Sequence, residues 1–351
     1  MVDMKVKWGV IGAAGIADRR TIPGLLLADN AELLAVMDAD EQAAERVREK
    51  YDVKYSYGHE ADLLGNEEIQ AVYIASPVVY HAAQVRAAAD AGKHILAEKP
   101  LALSSAEAEN LVSHCRGRNV LLATGFMMRF AAYHQKMREL LAQKALGDIV
   151  SVSGQFTCWY PDIAGAWRQY KDQAGGGALM DMGVHLIDLL QYLMDSKIIR
   201  VAALHGTKTF HYEVDDSSSL LAEFENGAFG NINSNFNIPD EAAKWRIEFY
   251  GTKGRMIGDE TIGQAEGGKL EVLIADETKG YDAAQDKVTA QKDDVDVELG
   301  NMYAKEIASF SRSILEGTPV ECPGSAAVQV QRVIEAAYKS SAEGVFVNIP
   351  A

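Results

Sequence analysis

Val6-Lys7-Trp8-Gly9-Val10-Ile11-Gly12-Ala13-Ala14-Gly15-Ile16-Ala17 is the stretch on which the fold turns. Six mostly apolar residues read as a buried strand, glycines break it, and a pattern of helical period runs over 14–27. In that setting a glycine loop places backbone N–H groups and a helix N-terminus against a pyrophosphate. The match to the G-x-G-x-x-G pattern is incomplete. Ala17 is an accepted third member, but the expected second glycine is Ala14, whose methyl group narrows the approach of backbone to phosphate. A bare tight turn would use the same residues, and it is the strand before and the helix after that favour a dinucleotide.

Beyond the loop the same unit recurs. Strand patterns at 32–37, 71–75, 94–97 and 120–124 alternate with helical patterns at 41–51, 81–91 and 105–116, the signature of a parallel sheet covered by helices. After Met127 the periodicity changes. A helix over 134–143 gives way to runs of period two, such as Ser151-Val152-Ser153-Gly154-Gln155-Phe156 and Trp245-Arg246-Ile247-Glu248-Phe249-Tyr250. Turn sequences at Asn226-Gly227 and Thr252-Lys253-Gly254 make these an antiparallel sheet with one polar face. The acidic stretch 277–299 reads as an exposed excursion, and helices over 302–315 and 326–340 precede a last strand at 345–347. A chain of 351 residues is long for one core. The expectation is an α/β doubly wound Rossmann domain over 1–126, then an α+β domain over 127–351 built on a large, mostly antiparallel open sheet.

Charge narrows the class of partner. There are 34 Lys and Arg against 50 Asp and Glu, a net charge of −16, which repels nucleic acid and anionic membrane surfaces. The opening Met1-Val2-Asp3-Met4-Lys5 runs into a strand without the apolar stretch of a signal peptide or membrane span, so a cytoplasmic location is expected. Cys115, Cys158 and Cys322 are odd in number and far apart, which suggests buried thiols rather than disulfides or a zinc site.

Three further features carry chemistry. Asp38 ends the second strand, where a carboxylate hydrogen-bonds the adenosine ribose and repels a 2′-phosphate; an Asp there also serves to cap the helix starting near Glu41, and Asp40 is an alternative cap. Glu98-Lys99-Pro100 ends the fourth strand, at the carboxyl edge where open parallel sheets bind ligands, although a lysine taken alone is more often a solvated surface residue. In Gly175-Gly176-Gly177-Ala178-Leu179-Met180-Asp181-Met182-Gly183-Val184-His185-Leu186-Ile187-Asp188, glycines lead into a helix on which Asp181, His185 and Asp188 share one face. A histidine there is either structural or a proton carrier near neutral pH. No second His or Cys completes a metal-ligand set, so no metal is expected.

With these segments together, the chain resembles the glucose–fructose oxidoreductase, inositol dehydrogenase and rhizopine-catabolism (Gfo/Idh/MocA) family. The resemblance spans nearly the whole length and rests on 8–17, the run Ala91-Gly92-Lys93-His94-Ile95-Leu96-Ala97-Glu98-Lys99-Pro100-Leu101, the segment 175–188, Gly251-Thr252-Lys253-Gly254, and Ile334-Glu335-Ala336-Ala337-Tyr338. It implies that Lys99, Asp181 and His185 line the substrate pocket. It implies cofactor contacts from Gly12, Ala13, Ala14, Gly15, Ile16, Asp38, Ser76, Pro77, His81, Glu98, Lys99 and Arg168. Two departures stand out: Ala14, and Val78 in Ser76-Pro77-Val78, where relatives often carry Thr-Pro-Asn. Trp167-Arg168 matches a pair near the active site of many relatives, and a structural stacking role is equally open.

The implied activity is NAD(P)-dependent hydride transfer at a hydroxyl or carbonyl carbon of a sugar, inositol or related polyol. NAD is preferred on the strength of Asp38, with NADP possible. His185 would be the general base, Lys99 would stabilise charge on the same oxygen, and Asp181 would orient the site. Two alternatives stay open: an NAD-assisted glycoside hydrolase of the same family, and a non-catalytic sugar or dinucleotide sensor. The open sheet needs a cover, which predicts a homodimer or homotetramer.

Overall fold

The computed structural model describes residues 4–275, 283 and 293–350; the opening residues 1–3 and most of 277–292 in the acidic stretch lie outside these. Apolar runs of the first half pair as strands. They are β1 (Val6–Ile11), β2 (Ala31–Met37), β3 (Tyr55–Tyr57), β4 (Ala71–Ile74), β5 (His94–Ala97) and β6 (Leu122–Thr124). All five pairings are parallel, and the spatial order is β3-β2-β1-β4-β5-β6. β4 is buried at every residue and β1 at all but Lys7, as strands covered on both faces must be.

The helices between them are α1 (Ile22–Leu27), α2 (Glu41–Tyr51), α3 (Glu60–Leu64), α4 (Val78–Asp90) and α5 (Ser105–Gly117). Local chemistry sets their starts. Asp40 caps α2 by accepting from the N–H groups of Gln42 and Ala43, and Ser104 caps α5 by accepting from that of Glu107. Two short elements have no counterpart in the sequence pattern, β3 and α3. β3 is an edge strand of half-buried Tyr-Ser-Tyr that pairs only with β2, so it needs no apolar run.

This sheet anchors a contact-rich unit comprising 1–130, 164–176 and 301–332. Its core includes Trp8, whose indole donates to Ser311 Oγ at 3.1 Å and whose ring lies 5.8 Å from that of Phe310. A helix late in the sequence thus covers the first sheet.

A second unit takes in 131–163, 177–300 and 333–351. Helix α6 (Ala132–Ala142) opens it; the single turn α7 (Lys171–Ala174) belongs to the first unit, and α8 (Val184–Met194) again to the second. Its strands are β7 (Ile149–Thr157), β8 (Ile198–Gly206), β9 (Ser217–Phe224), β10 (Phe229–Asn235), β11 (Trp245–Gly251), β12 (Gly254–Asp259), β13 (Lys269–Ile274), β14 (Asp293–Val295) and β15 (Val347–Asn348). They form a nine-stranded sheet in the order β14-β13-β12-β11-β7-β10-β9-β8-β15, antiparallel except where β10 meets β7. β14 comes from the stretch read as an excursion, and β15 begins two residues later than expected, after exposed Val345 and Phe346. The helix α9 (Met302–Glu316) belongs to the first unit, and the long α10 (Gly324–Glu343) precedes β15.

Alternation along β9 buries Ser218, Leu220, Ala222 and Phe224 and turns Ser219 and Leu221 outward. By register, Leu221 stands beside Asn231 and Phe229 beside Ser151, giving an outer face where apolar and polar side chains mix. Leu204, Leu221 and Phe229 are 76%, 54% and 64% exposed there. No helix of the described residues is long and apolar enough to cross a membrane.

Candidate active site

In the first unit the glycine loop turns on two residues of positive φ. Gly12 lies at φ 78°, and a Cβ there would meet Ser76 N at 2.7 Å and Ala75 C at 2.9 Å, so only glycine lets the loop pass the end of β4. Gly15 is also left-handed, at φ 69°, and a Cβ there would meet nothing within 4 Å. Ala14 between them is extended, with φ −74° and ψ −177°, a conformation open to any residue. The missing second glycine therefore imposes no backbone strain. Ala13 and Ala17 are buried and Ile16 half-buried. The helical turns that follow, reaching Thr21, are of the wide π type rather than the α-helix the pattern predicts from 14 onward.

Asp38 sits at the end of β2 facing this loop. One carboxylate oxygen accepts from Ala14 N–H at 3.1 Å and the other from Asp40 N–H at 3.1 Å. Asp40, not Asp38, caps α2. Asp38 thus braces the loop.

At the ends of β4 and β5 a second cluster forms. His81, 1% exposed, places Nε2 2.9 Å from Ser76 O and Nδ1 2.9 Å from Pro100 O, linking the turns that follow the two strands. Burial draws its pKa below the ordinary value against the pull of these carbonyls. Ser76 Oγ donates to Gln84 Oε1 at 2.5 Å, and Pro77 opens α4 with Val78 2% exposed behind it. Position 78 is therefore a packing position.

Tyr73, within β4, accepts from Thr21 Oγ1 at 2.9 Å and donates to Glu98 Oε1. Glu98 Oε2 accepts from Lys99 N–H at 3.2 Å. Burial pushes the Glu98 carboxyl above its ordinary range, opposed by the charges of Lys99 and Arg168 and by those two hydrogen bonds. Arg168 lies over the Trp167 ring at 4.4 Å, so the stacking role is present. Lys99 is partly buried rather than freely solvated. The predicted cofactor residues thus fall in one unit, and Tyr73 is an addition to them. Its signal in the sequence was a lone hydroxyl in the run Ala71-Val72-Tyr73-Ile74.

The segment 175–188, which from Gly177 onward lies in the second unit, is not one regular helix. Leu179–Gly183 is a π-type turn in which Val184 N–H reaches back five residues to Leu179 O, and α8 follows. The widened turn contains Asp181 and ends just before His185, a distortion often found at functional sites. Asp181 is half-buried, while His185 and Asp188 are 5% and 2% exposed. The His185 ring meets Phe156 edge-on, with centroids 6.3 Å apart. Cys158 lies near enough to Asp181 that burial and this carboxylate together raise its thiol to about 12.

Family models match two stretches of the chain. Residues 6–126 match the model of the oxidoreductase family with an NAD-binding Rossmann fold, and 134–257 match the GFO/IDH/MocA C-terminal domain. A D-xylose 1-dehydrogenase (NADP(+)) of Haloferax volcanii is 31% identical over 97% of this chain and 99% of its own length. A 1,5-anhydro-D-fructose reductase of Ensifer adhaerens is 27% identical over 89% of this chain and 88% of its own. The solved aldose-aldose oxidoreductase of Caulobacter crescentus superposes with a TM-score of 0.88 at 24% identity, covering 98% of this chain and 99% of that one.

Proposed function

The chain belongs to the GFO/IDH/MocA family of oxidoreductases, and from this we propose that it moves a hydride at a hydroxyl or carbonyl carbon of a sugar, inositol or related polyol. Residues 1–126 bind the cofactor, and 127–351 hold the substrate and the contacts between subunits. The observation that carries the reading is the first unit itself. Gly12 and Gly15 shape a loop for pyrophosphate, Asp38 faces that loop, and Glu98-Lys99 stands at the carboxyl end of the same parallel sheet.

Bound nicotinamide supplies the hydride acceptor or donor. His185 takes the proton of the substrate hydroxyl as general base. Lys99 donates a hydrogen bond to the same oxygen and stabilises the negative charge that grows there. Asp181 orients either His185 or a neighbouring substrate hydroxyl. NAD is the preferred cofactor because the Asp38 carboxylate repels a 2′-phosphate; the xylose dehydrogenase relative, whose name carries NADP(+), makes this a point to measure.

A screen of polyols and aldoses with NAD, following NADH absorbance, tests the reading. Net NADH from at least one of them is expected; cleavage of glycosides without net NADH would favour the hydrolase alternative. The protein works in the cytoplasm as a homodimer or homotetramer, its outer sheet face around Leu204, Leu221 and Phe229 covered by another copy. Sedimentation as a monomer at micromolar concentration would contradict this.

A further inference from the structure

Three features are left over once the proposed chemistry is assigned: the glycine triplet 175–177, Tyr338 in α10, and the pair Asp215-Asp216, which the structure brings to them. They converge on one carboxylate. Asp215, 6% exposed, accepts from Gly177 N–H at 2.9 Å and from the Tyr338 hydroxyl at 2.7 Å through Oδ1, and from Leu179 N–H at 3.0 Å through Oδ2. Its main-chain oxygen accepts from the intervening Ala178 N–H at 2.8 Å. Three consecutive N–H groups at the start of a helix, which have no partner within the helix, are thus satisfied by a single residue far along the chain.

The turn they begin carries Asp181, and the turn after it carries His185. Asp181 N–H bonds to Gly177 O at 2.9 Å, so the position of Asp181 follows from that of Gly177. Gly177 is itself held against Asp215: a Cβ there would lie 1.8 Å from Asp215 O. Ala178, which precedes the turn, makes no side-chain cap of its own. The adjacent Asp216 performs the parallel task for a loop, accepting from the N–H groups of Lys208, Thr209 and Phe210 at 2.8, 2.7 and 3.0 Å.

We propose that Asp215 is a positioning residue for the reaction: from the loop that leads into β9 it clamps the helix start that presents Asp181 and His185. An ionised carboxylate suits the place because all three groups facing it are donors, and its charge complements the helix N-terminus. An amide would set an NH₂ against an N–H or an O–H. The inference rests on the assignment of His185 as base, and its test is separable from that assignment.

The experiment compares Asp215→Asn and Tyr338→Phe with the wild-type enzyme, measuring kcat, KM, the pH profile of kcat, NAD affinity by fluorescence titration and the folded fraction by circular dichroism. A misplaced catalytic group costs up to about 10²-fold in rate. Asp215→Asn is expected to lower kcat per folded enzyme by about 10- to 10²-fold and to displace the acid limb of its pH profile, with NAD affinity unchanged. Tyr338→Phe should do the same on a smaller scale, about threefold. Loss of activity only in proportion to the unfolded fraction, or a normal kcat with an unmoved limb, overturns the proposal. If Asp215→Asn fails to fold, Tyr338→Phe decides by the same criteria. His185→Ala, run alongside, reports on the base separately: normal turnover there removes the base while leaving the dependence of kcat on Asp215 to be judged on its own data.

Discussion

The carboxylate of Asp38 accepts a hydrogen bond from the backbone N–H of Ala14 at 3.1 Å, tying the end of β2 to the glycine loop after β1. One residue thus both braces the phosphate loop and meets the ribose in the proposed complex. Asp38→Asn keeps an acceptor for Ala14 but removes the charge that opposes a 2′-phosphate. The ratio of kcat/KM for NAD over NADP should fall by about 5- to 30-fold, equivalent to about 1–2 kcal/mol. An unchanged ratio would mean that the ribose is read elsewhere.

The loop makes a second, contrasting pair of predictions. Gly12→Ala forces a Cβ to within 2.7 Å of Ser76 N at φ 78°. It should destabilise the protein by at least about 1–2 kcal/mol in urea denaturation and weaken NAD binding. Ala14→Gly, which restores the familiar pattern, changes a residue whose extended backbone already suits alanine. It should cost about 0.4–1 kcal/mol through the unfolded chain while leaving NAD affinity within twofold. A large gain in affinity would show that the methyl group does obstruct the phosphate.

Most of the architecture was legible because it rests on periodicity. β1 and α2 fall at the residues their patterns indicate, since buried parallel strands must be apolar and Asp40 marks a helix start chemically. What escaped was set by tertiary pairing. β3 is held by its neighbour rather than by its own residues, and β15 pairs two residues after Val345, which with Phe346 stays exposed. The site divides in the same way. Gly12, Asp38, Glu98 and Lys99 announce themselves by their places at strand ends, whereas Tyr73 and Asp215 act through partners 25 and 36–38 residues away. The π-type turn before α8 leaves no mark on a helical pattern, because 176–190 is buried at every residue but Asp181 and offers no polar face whose register could shift.

Glu98 links stability to pH. Its carboxyl is held above the ordinary value of 4.5 by burial. The folded protein therefore binds more protons there than the unfolded chain, and this contribution is full below that value and lost as pH rises through the folded pKa. Glu98→Gln removes the titration while retaining an acceptor for the Tyr73 hydroxyl. The stability of the variant relative to wild type should rise between about pH 4 and about pH 8 in urea denaturation. A difference that is constant with pH would place the ionised carboxylate at no disadvantage in the fold.

His185 as the base and the glycine loop as the cofactor site are tested most directly by the turnover of His185→Ala with substrate and NAD saturating across neutral pH. Removing a general base costs about 10²–10⁴ in rate. The variant should lose kcat on that scale while its NAD affinity stays near that of the wild type. Near-normal turnover would contradict the assignment and leave Lys99, at the carboxyl end of β5, as the next candidate.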